Sequence, residues 1–341
     1  MARYFSRHRS GRRERTRRQV YTISALLIIA VSYCVYRVAI RDTHPGPKAT
    51  PKASTDIDPA LLPQVPRLEL EPEPNLLEIA PEPTVEPNPE AAKLITEAMA
   101  LLNVKPARII EARDRLNETL PMPMSRQQRA FVKKQLSDLA DTWLFSRTIL
   151  PKDTLCSDYK VKVGDQLRTI GKQYKVPYEI LVQINKISHP EGLQAGETIK
   201  VINGPFHARI YCSTFTMDLY LQNTFVRSFP VGLARPGHET PTGLWSVKPG
   251  GKLIKPTWTD PDTGKTYEAE DPDYPLGSRW IGLEGLKGDA LGRTGFAFHG
   301  TKDPSLIGGT GSRGCIRLHN GDVILLYNLL VPSYSQVEIV K

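Results

Sequence analysis

Twelve of the 29 prolines in this 341-residue chain fall within residues 42–90. Proline lacks an amide donor and fixes its own φ, so a stretch this dense in it sustains neither a helix nor a sheet ladder. The same stretch carries ten acidic residues against three basic ones, in phrases such as "EPEP" and "PEPTVEPNPE". Residues 41–89 therefore read as an extended, solvated, semi-rigid spacer. A large core must lie after it, because what precedes it is too short to form one.

Residues 1–41 contain ten arginines and one glutamate, 10 − 1 = +9, which equals the net charge of the whole chain. Residues 42–341 sum to zero, so the basicity is local and no nucleic-acid surface is expected on the body of the protein. Residues 1–19 form a basic tail, with Arg3 to Arg18 preceding the uncharged run "VYTISALLIIAVSYCVY", Val20–Tyr36. That run is at the short end of what crosses a bilayer, and the arginine bias sets its direction. We expect residues 20–40 to be a transmembrane anchor in the cell membrane, with a cytoplasmic N-terminus and a periplasmic or extracellular body. A cleaved signal peptide is the rival reading. No small-x-small site follows the run, and Tyr33 in "VSYC" is bulky where a lipoprotein site needs a small residue. An exported body meets an oxidising compartment.

Residues 90–150 predict three helices, punctuated by Pro106, Pro121 and Pro123. Leu94, Ala98 and Leu101 share one face, as do Phe131, Leu136, Leu139 and Trp143, and Ser125 suits an N-cap. A small helical spacer is the simpler expectation; a partner-binding platform is the alternative. Residues 158–203 predict a strand at 159–163, helices at 167–174 and 178–185, and a strand at 198–202. This βααβ unit resembles a LysM module at Tyr159, Val163, Gly164, Asp165, Leu167, Ile170, Tyr174, Val176, Ile184, Asn185, Leu193, Gly196, Thr198 and Ile199. The resemblance implies binding of N-acetylglucosamine-containing glycan, hence of peptidoglycan, with the loops around Asp165 and Gly192–Leu193 touching sugar. Cys156 and Cys212 flank the unit, and a disulfide between them is geometrically reasonable, although spacing alone does not fix it.

Residues 207–341 predict many short strands and one short helix, Val323–Leu330, capped by Asn320, in an antiparallel sandwich or barrel. Within them "FAFHGTKDPSLIGGTGSRGCIRLHN", Phe296 to Asn320, sets His299 and Cys315 sixteen residues apart. Seven glycine, serine and threonine residues lie between Gly300 and Gly314. Gly309, Gly311 and Gly314 spell a nucleotide fingerprint, but no β-α-β context surrounds them. His299, Cys315 and His319 lack the recurrent spacings of a zinc site, and no metal or cofactor is expected. A cysteine nucleophile with a histidine base fits best: a neighbouring imidazole lowers a thiol's pKa and can later protonate a leaving amine. Small residues around Cys315 admit a substrate carbonyl, and the amides of Gly314 and Cys315 are candidate oxyanion donors. Arg317 falls on the strand face of Cys315 and can hold a substrate carboxylate.

His299-Gly300 followed by Ser312-Arg313-Gly314-Cys315 closely resembles the active-site segment of YkuD-type L,D-transpeptidases. "TPTG", Thr240 to Gly243, and "DLYLQNTFVRSFPVGL" resemble further parts of that domain. Many members carry histidine where this chain has Arg313. The resemblance implies a YkuD-like β-sandwich with one short helix. It implies a Cys315 thioester on the third residue of a peptidoglycan stem, His299 as proton donor and acceptor, and the Gly300 carbonyl orienting His299. Ser312, Gly314 and Arg317 are the expected substrate and oxyanion contacts. The implied product is a 3→3 cross-link; hydrolysis of the thioester by an L,D-carboxypeptidase, or a non-catalytic wall tether, are the alternatives. Residues 248–279, with the turn "DPDTGK", form an insertion that is either a flap over the site or a surface hairpin.

Overall fold

The structure, a computed structural model, describes residues 86–341. The basic tail, the proposed anchor at 20–40 and all but the end of the proline-rich spacer lie outside the described residues. Among the described residues no helix is long and apolar enough to cross a membrane.

Three helices come first: α1 (Pro89–Asn103), α2 (Ile109–Thr119) and α3 (Arg126–Trp143). Asn88 caps α1 by accepting from the amides of Glu90 and Ala91. Ser125 caps α3 in a reciprocal box with Gln128, which satisfies amides left orphaned by the first turn. The Gln128 amide also exchanges two 2.9 Å bonds with the Asn88 backbone, fastening the start of α3 to that of α1. The buried stripe of α3 is Val132, Leu136, Ala140 and Trp143. Phe131, expected on that stripe, is 41% exposed. A stripe through 132, 136 and 140 follows the i, i+4 row strictly, and Phe131 lies one position off it.

The next unit pairs β1 (Cys156–Lys160) antiparallel with β2 (Thr198–Ile202), and α4 (Leu167–Gln173) and α5 (Tyr178–Asn185) pack between them. β1 begins three residues earlier than the hydropathy suggested. Val163 stands 93% exposed, because Gly164 at φ +86° turns the chain. Asp165 holds that turn by accepting from the Lys162 amide and the Tyr159 hydroxyl, both at 2.8 Å. Asn185 joins helix to strand by donating to the Leu181 and Lys200 carbonyls and accepting from the Lys200 amide.

The remaining chain builds one eight-stranded sheet and two small ones. Its strands are β3 (Phe206–Tyr211), β4 (Thr216–Leu221), β5 (Thr224–Pro230), β6 (Leu233–Ala234), β7 (Gly243–Leu253), β8 (Trp258–Thr259), β9 (Thr266–Tyr267), β10 (Trp280–Lys287), β11 (Phe296–His299), β12 (Thr310–Ser312), β13 (Ile316–Arg317) and β14 (Gln336–Val340). The large sheet runs β13-β11-β10-β7-β14-β3-β4-β5. It is mixed, whereas a purely antiparallel arrangement was expected: β11 with β13 and β14 with β3 are parallel. Short strands hid this, because two or three residues of alternation do not reveal direction. Register shifts between β7 and β10, and between β4 and β5, bend the sheet. Helix α6 (Asn320–Leu329) lies against β10 and β11.

Among the described residues Cys156 and Cys212 form no disulfide. Cys156 pairs with Ile202 at the end of the β1–β2 ladder. Cys212 is carried away along β3, whose six residues span roughly 20 Å, and a disulfide needs Cα atoms within about 7 Å.

The helical segment is no loose spacer. Phe225 of the edge strand β5 is buried among α1–α3 residues, and its amide donates to Asn117 at 2.8 Å. Lys133 of α3 pairs at 2.6 Å with Asp218 on β4, a carboxylate with no exposure, which also accepts from Ser228 at 2.5 Å. At the C-terminal end of α3, the buried Lys200 ammonium of β2 donates to the carbonyls of Trp143, Ser146 and Thr148 at 2.5, 3.0 and 2.7 Å. A cation there complements the helix's negative end. Lys133→Met strands a buried carboxylate, so a loss of about 3 kcal/mol is expected in urea unfolding. A helical segment that merely spaced domains would leave the unfolding curve of the sheet unchanged.

Candidate active site

Strands β11 and β13 pair in parallel, Phe298 with Ile316 and His299 with Arg317. Side chains alternate faces along a strand. Phe298 and Ile316 therefore enter the core, where both are fully buried, and His299 and Arg317 share the other face. Cys315, one residue before Ile316, falls on that face too, beside Ala297. His299 and Cys315 are diagonal neighbours on adjacent strands. Parallel strands cannot be joined by a tight hairpin and need a connection of about a dozen residues or more. The sixteen-residue separation in the sequence supplies that crossover.

His299 is buried, and its Nδ1–H donates to the Gly300 carbonyl at 2.6 Å. A carbonyl only accepts, so the proton sits on Nδ1 and Nε2 carries the free lone pair. Trp280, opposite His299 on β10, stacks on the imidazole with ring centroids 5.7 Å apart and planes 11° from parallel. Burial pushes the imidazole down to about 4; the Gly300 bond opposes this and the Arg317 charge adds to it. Burial likewise pushes the Cys315 thiol up to about 11, against smaller opposing effects of the Ala297 backbone and Arg317. Near neutral pH both groups are uncharged. The expectation that the imidazole depresses the thiol's pKa at rest is thus not met: burial is the largest influence on each group, and neither is shifted by the other. The thiol donates weakly to the Gly295 carbonyl at 3.9 Å.

The loop before Cys315 is held from several directions. Gly314 has φ +114°, and a Cβ there would lie 2.7 Å from the Phe296 ring. Ser312 donates to the Cys315 carbonyl at 2.6 Å and accepts the Gly314 amide at 3.3 Å. The Gly314 amide, expected as an oxyanion donor, is engaged by that hydroxyl. Thr240 of the "TPTG" turn donates to the Gly314 carbonyl at 2.7 Å. Arg317 is half-buried, and its Nη1 is buried with no acceptor among the described residues.

Asn320 does not cap α6; His319 occupies the N-cap position without a side-chain bond. Asn320 instead accepts from the Ser278 amide and donates to the Thr301 carbonyl, both at 2.9 Å. A Cβ on Gly300 would lie 2.1 Å from its Oδ1, so position 300 must be glycine. Neither Trp280 nor this bridging role of Asn320 was expected from the sequence, and Thr240 was noted only as part of the "TPTG" turn. Only the glycine after His299 hinted that something approaches the backbone there.

The insertion folds back as the β8–β9 hairpin, with Thr259 and Thr266 hydroxyls bonded across it at 2.9 Å. Asp262 at its tip forms an ion pair with Arg313 and lies 3.9 Å from Arg235. Among the described residues no cluster of His, Cys, Asp and Glu side chains is arranged to hold a metal ion.

Two family models match the chain: the L,D-transpeptidase catalytic domain YkuD over residues 206–339, and the LysM domain over residues 159–201. The chain is 30% identical over 188 residues to the L,D-transpeptidase YkuD of Bacillus subtilis strain 168, covering 53% of this chain and 97% of that one. It is 33% identical over 128 residues to YqjB of the same organism, covering 37% and 66%. To the L,D-transpeptidase ErfK/SrfK of Escherichia coli K12 it is 34% identical over 126 residues, covering 34% and 37%.

With a thiol near 11, the rate of Cys315 alkylation by iodoacetamide should climb roughly tenfold per pH unit from 7 to 9, with no plateau. A plateau in that range would mean a preformed thiolate–imidazolium pair. Gly300→Ala forces its methyl into Asn320 and displaces the carbonyl that orients His299. It should lower kcat at least tenfold while KM changes little, and Asn320→Gly in the same chain should restore part of the loss.

Proposed function

The chain belongs to the YkuD family of L,D-transpeptidases and carries a LysM module, and we propose that it cross-links peptidoglycan stems through a thioester on Cys315. One arrangement carries this reading: a thiol and a neutral imidazole on the same face of two parallel strands, with the imidazole's free Nε2 left available by the Nδ1–Gly300 bond. Cys315 Sγ attacks the carbonyl carbon of the third stem residue as its proton passes to His299 Nε2. Proton transfer coupled to attack suits a pair that is neutral at rest, because no isolated charge stands in the buried site beforehand. The oxyanion is met by the Cys315 amide, the donor left once Gly314 is bound to Ser312. The tetrahedral adduct collapses; the C–N bond to the terminal D-alanine breaks, and His299 returns the proton to the departing amine.

The side-chain amine of a second stem then attacks the thioester carbonyl. His299 takes a proton from that amine and returns it to sulfur as the C–S bond breaks, which leaves a 3→3 amide and a free thiol. Arg317, with a buried guanidinium nitrogen unpaired, is placed to hold a carboxylate of the donor. The LysM module binds the glycan from which these stems hang, and the anchor and spacer hold both outside the cell membrane. Tethering to the polymer raises the local concentration of stems.

Muropeptides digested from walls made with the wild-type chain and with Cys315→Ala test this by mass spectrometry. We expect 3→3 dimers with the wild type and none with the variant. Tripeptides without dimers would replace transfer by hydrolysis, and identical profiles would leave only a wall tether.

A further inference from the structure

Two arginines stand together beside the cysteine loop, and the proposed acyl transfer does not use either. β6 pairs with β12, and just beyond this ladder the Arg235 amide donates to the Ser312 carbonyl at 2.9 Å. Arg235 and Arg313 therefore project side by side, and Arg313 is two residues from the nucleophile. Both guanidinium groups meet one carboxylate, that of Asp262 at the hairpin tip. Glu239, at the adjoining groove, is held instead by the Gly237 amide at 2.8 Å, so among the described residues Asp262 is the acid that pairs with both arginines. Asp262, Arg235 and Arg313 are each about 40% exposed, so their attraction is screened and easily exchanged.

The hairpin tip is built to present that carboxylate. Asp260 accepts from the Asp262 amide at 2.9 Å and from the Thr263 hydroxyl at 3.0 Å, which fixes the turn and leaves the Asp262 side chain outside it. Ala234 and Pro236, which flank Arg235, line an adjoining groove of about 200 Å³ with Leu233, Thr240 and Thr310. Thr240 of that groove donates to the Gly314 carbonyl at 2.7 Å, so the groove begins beside the cysteine loop.

We propose that Arg235 and Arg313 form a binding site for a carboxylate of the peptide substrate, and that Asp262 occupies this site until substrate displaces it. The hairpin is then a self-supplied competitor: it covers the pair when no anionic peptide is present and swings off when one arrives. Specificity follows, because a neutral peptide cannot exchange with Asp262 and meets a closed tip. The proposal rests on Cys315 as an accessible nucleophile for its main readout, so that readout is paired with one that needs no thiol.

Full-length protein is alkylated with iodoacetate or iodoacetamide, and labelling of the Cys315 peptide is followed by mass spectrometry. The two reagents differ in charge, so the ratio of their rates cancels changes in thiol pKa and general access. Asp262→Asn should raise the iodoacetate-to-iodoacetamide ratio at least threefold by freeing both arginines. Arg235→Gln with Arg313→Gln should lower it at least threefold, and adding Asp262→Asn to that pair should then change nothing. A ratio unmoved by Asp262→Asn, or both reagents speeded equally, overturns the proposal, since the hairpin would then be only a steric cover. A thiol that reacts with neither reagent in any variant overturns the enzyme reading instead. The carboxylate site is then decided on Cys315→Ala protein by NMR titration with N-acetyl-D-alanine and its amide. Asp262→Asn should tighten binding of the acid at least threefold and leave the amide unaffected; equal changes for both ligands overturn it.

Discussion

The parallel pairing of β11 with β13 is the constraint on which the rest of the site depends. It places Phe298 and Ile316 in the core and His299, Arg317 and Cys315 on the opposite face. A slip of one residue would exchange the two sets, turning the thiol away from the imidazole's face into the core and Ile316 out of it. Apolar burial below the sheet thus enforces the chemical register above it. The parallel direction also explains the small residues of the crossover. The loop leaves one strand, packs Gly300 on Asn320 and Gly314 on Phe296, and re-enters beside its own start. At both contacts a side chain would occupy space already filled.

Burial that keeps the dyad neutral has a second consequence. Thiolate, rather than thiol, is the species that oxidants attack. A cysteine held near 11 is almost wholly protonated near neutral pH. The same desolvation strengthens the interaction of any charge that forms during reaction with the dipoles already placed around it. Trp280 and the Gly300 carbonyl hold the imidazole in one plane and one tautomer, so a transferred proton finds Nε2 in place. A conventional triad would supply a carboxylate for that purpose. A backbone carbonyl orients the ring without stabilising the imidazolium to the same degree, and this agrees with a histidine whose pKa is low.

Local chemistry was legible in the sequence, and placement was not. His299, Gly300, Ser312, Gly314 and Cys315 stood out because an active-site segment is short and its residue types are rare in that order. The LysM elements were legible for a similar reason, since a forty-residue unit contains its own core. Strand direction was invisible, because β13 is two residues long and two residues have no periodicity. Trp280 was passed over because a tryptophan in a strand is ordinarily core, and only the pairing with β11 puts it against the imidazole. The stripe of α3 was misplaced by one position at Phe131, where a large apolar residue outweighed a stricter row of smaller ones. Asn320 looked like a cap because asparagine before an apolar run usually is one; its partners, Ser278 and Thr301, are distant in the chain or in the neighbouring turn.

The helical segment shows most clearly what a periodic pattern leaves out. Amphipathicity says that a helix buries one face, but not which surface receives it. Here α3 is held at two places by lysine: Lys133, midway along it, reaches Asp218 in the sheet, and Lys200 of the βααβ unit takes the last helical carbonyl, Trp143, with two more just beyond it. Phe225 and the Asn117 bond cover the edge strand β5, which would otherwise offer open hydrogen-bonding groups to another chain. One helix therefore fastens the LysM unit and the sheet to each other through desolvated contacts. Two modules on a flexible linker sample many separations, and the effective concentration they generate falls with linker length. Modules bracketed by a common helix hold one separation. The reach of the thiol along a glycan held by LysM is then set by α3 together with the direct packing of α5 on α6 in one shared core.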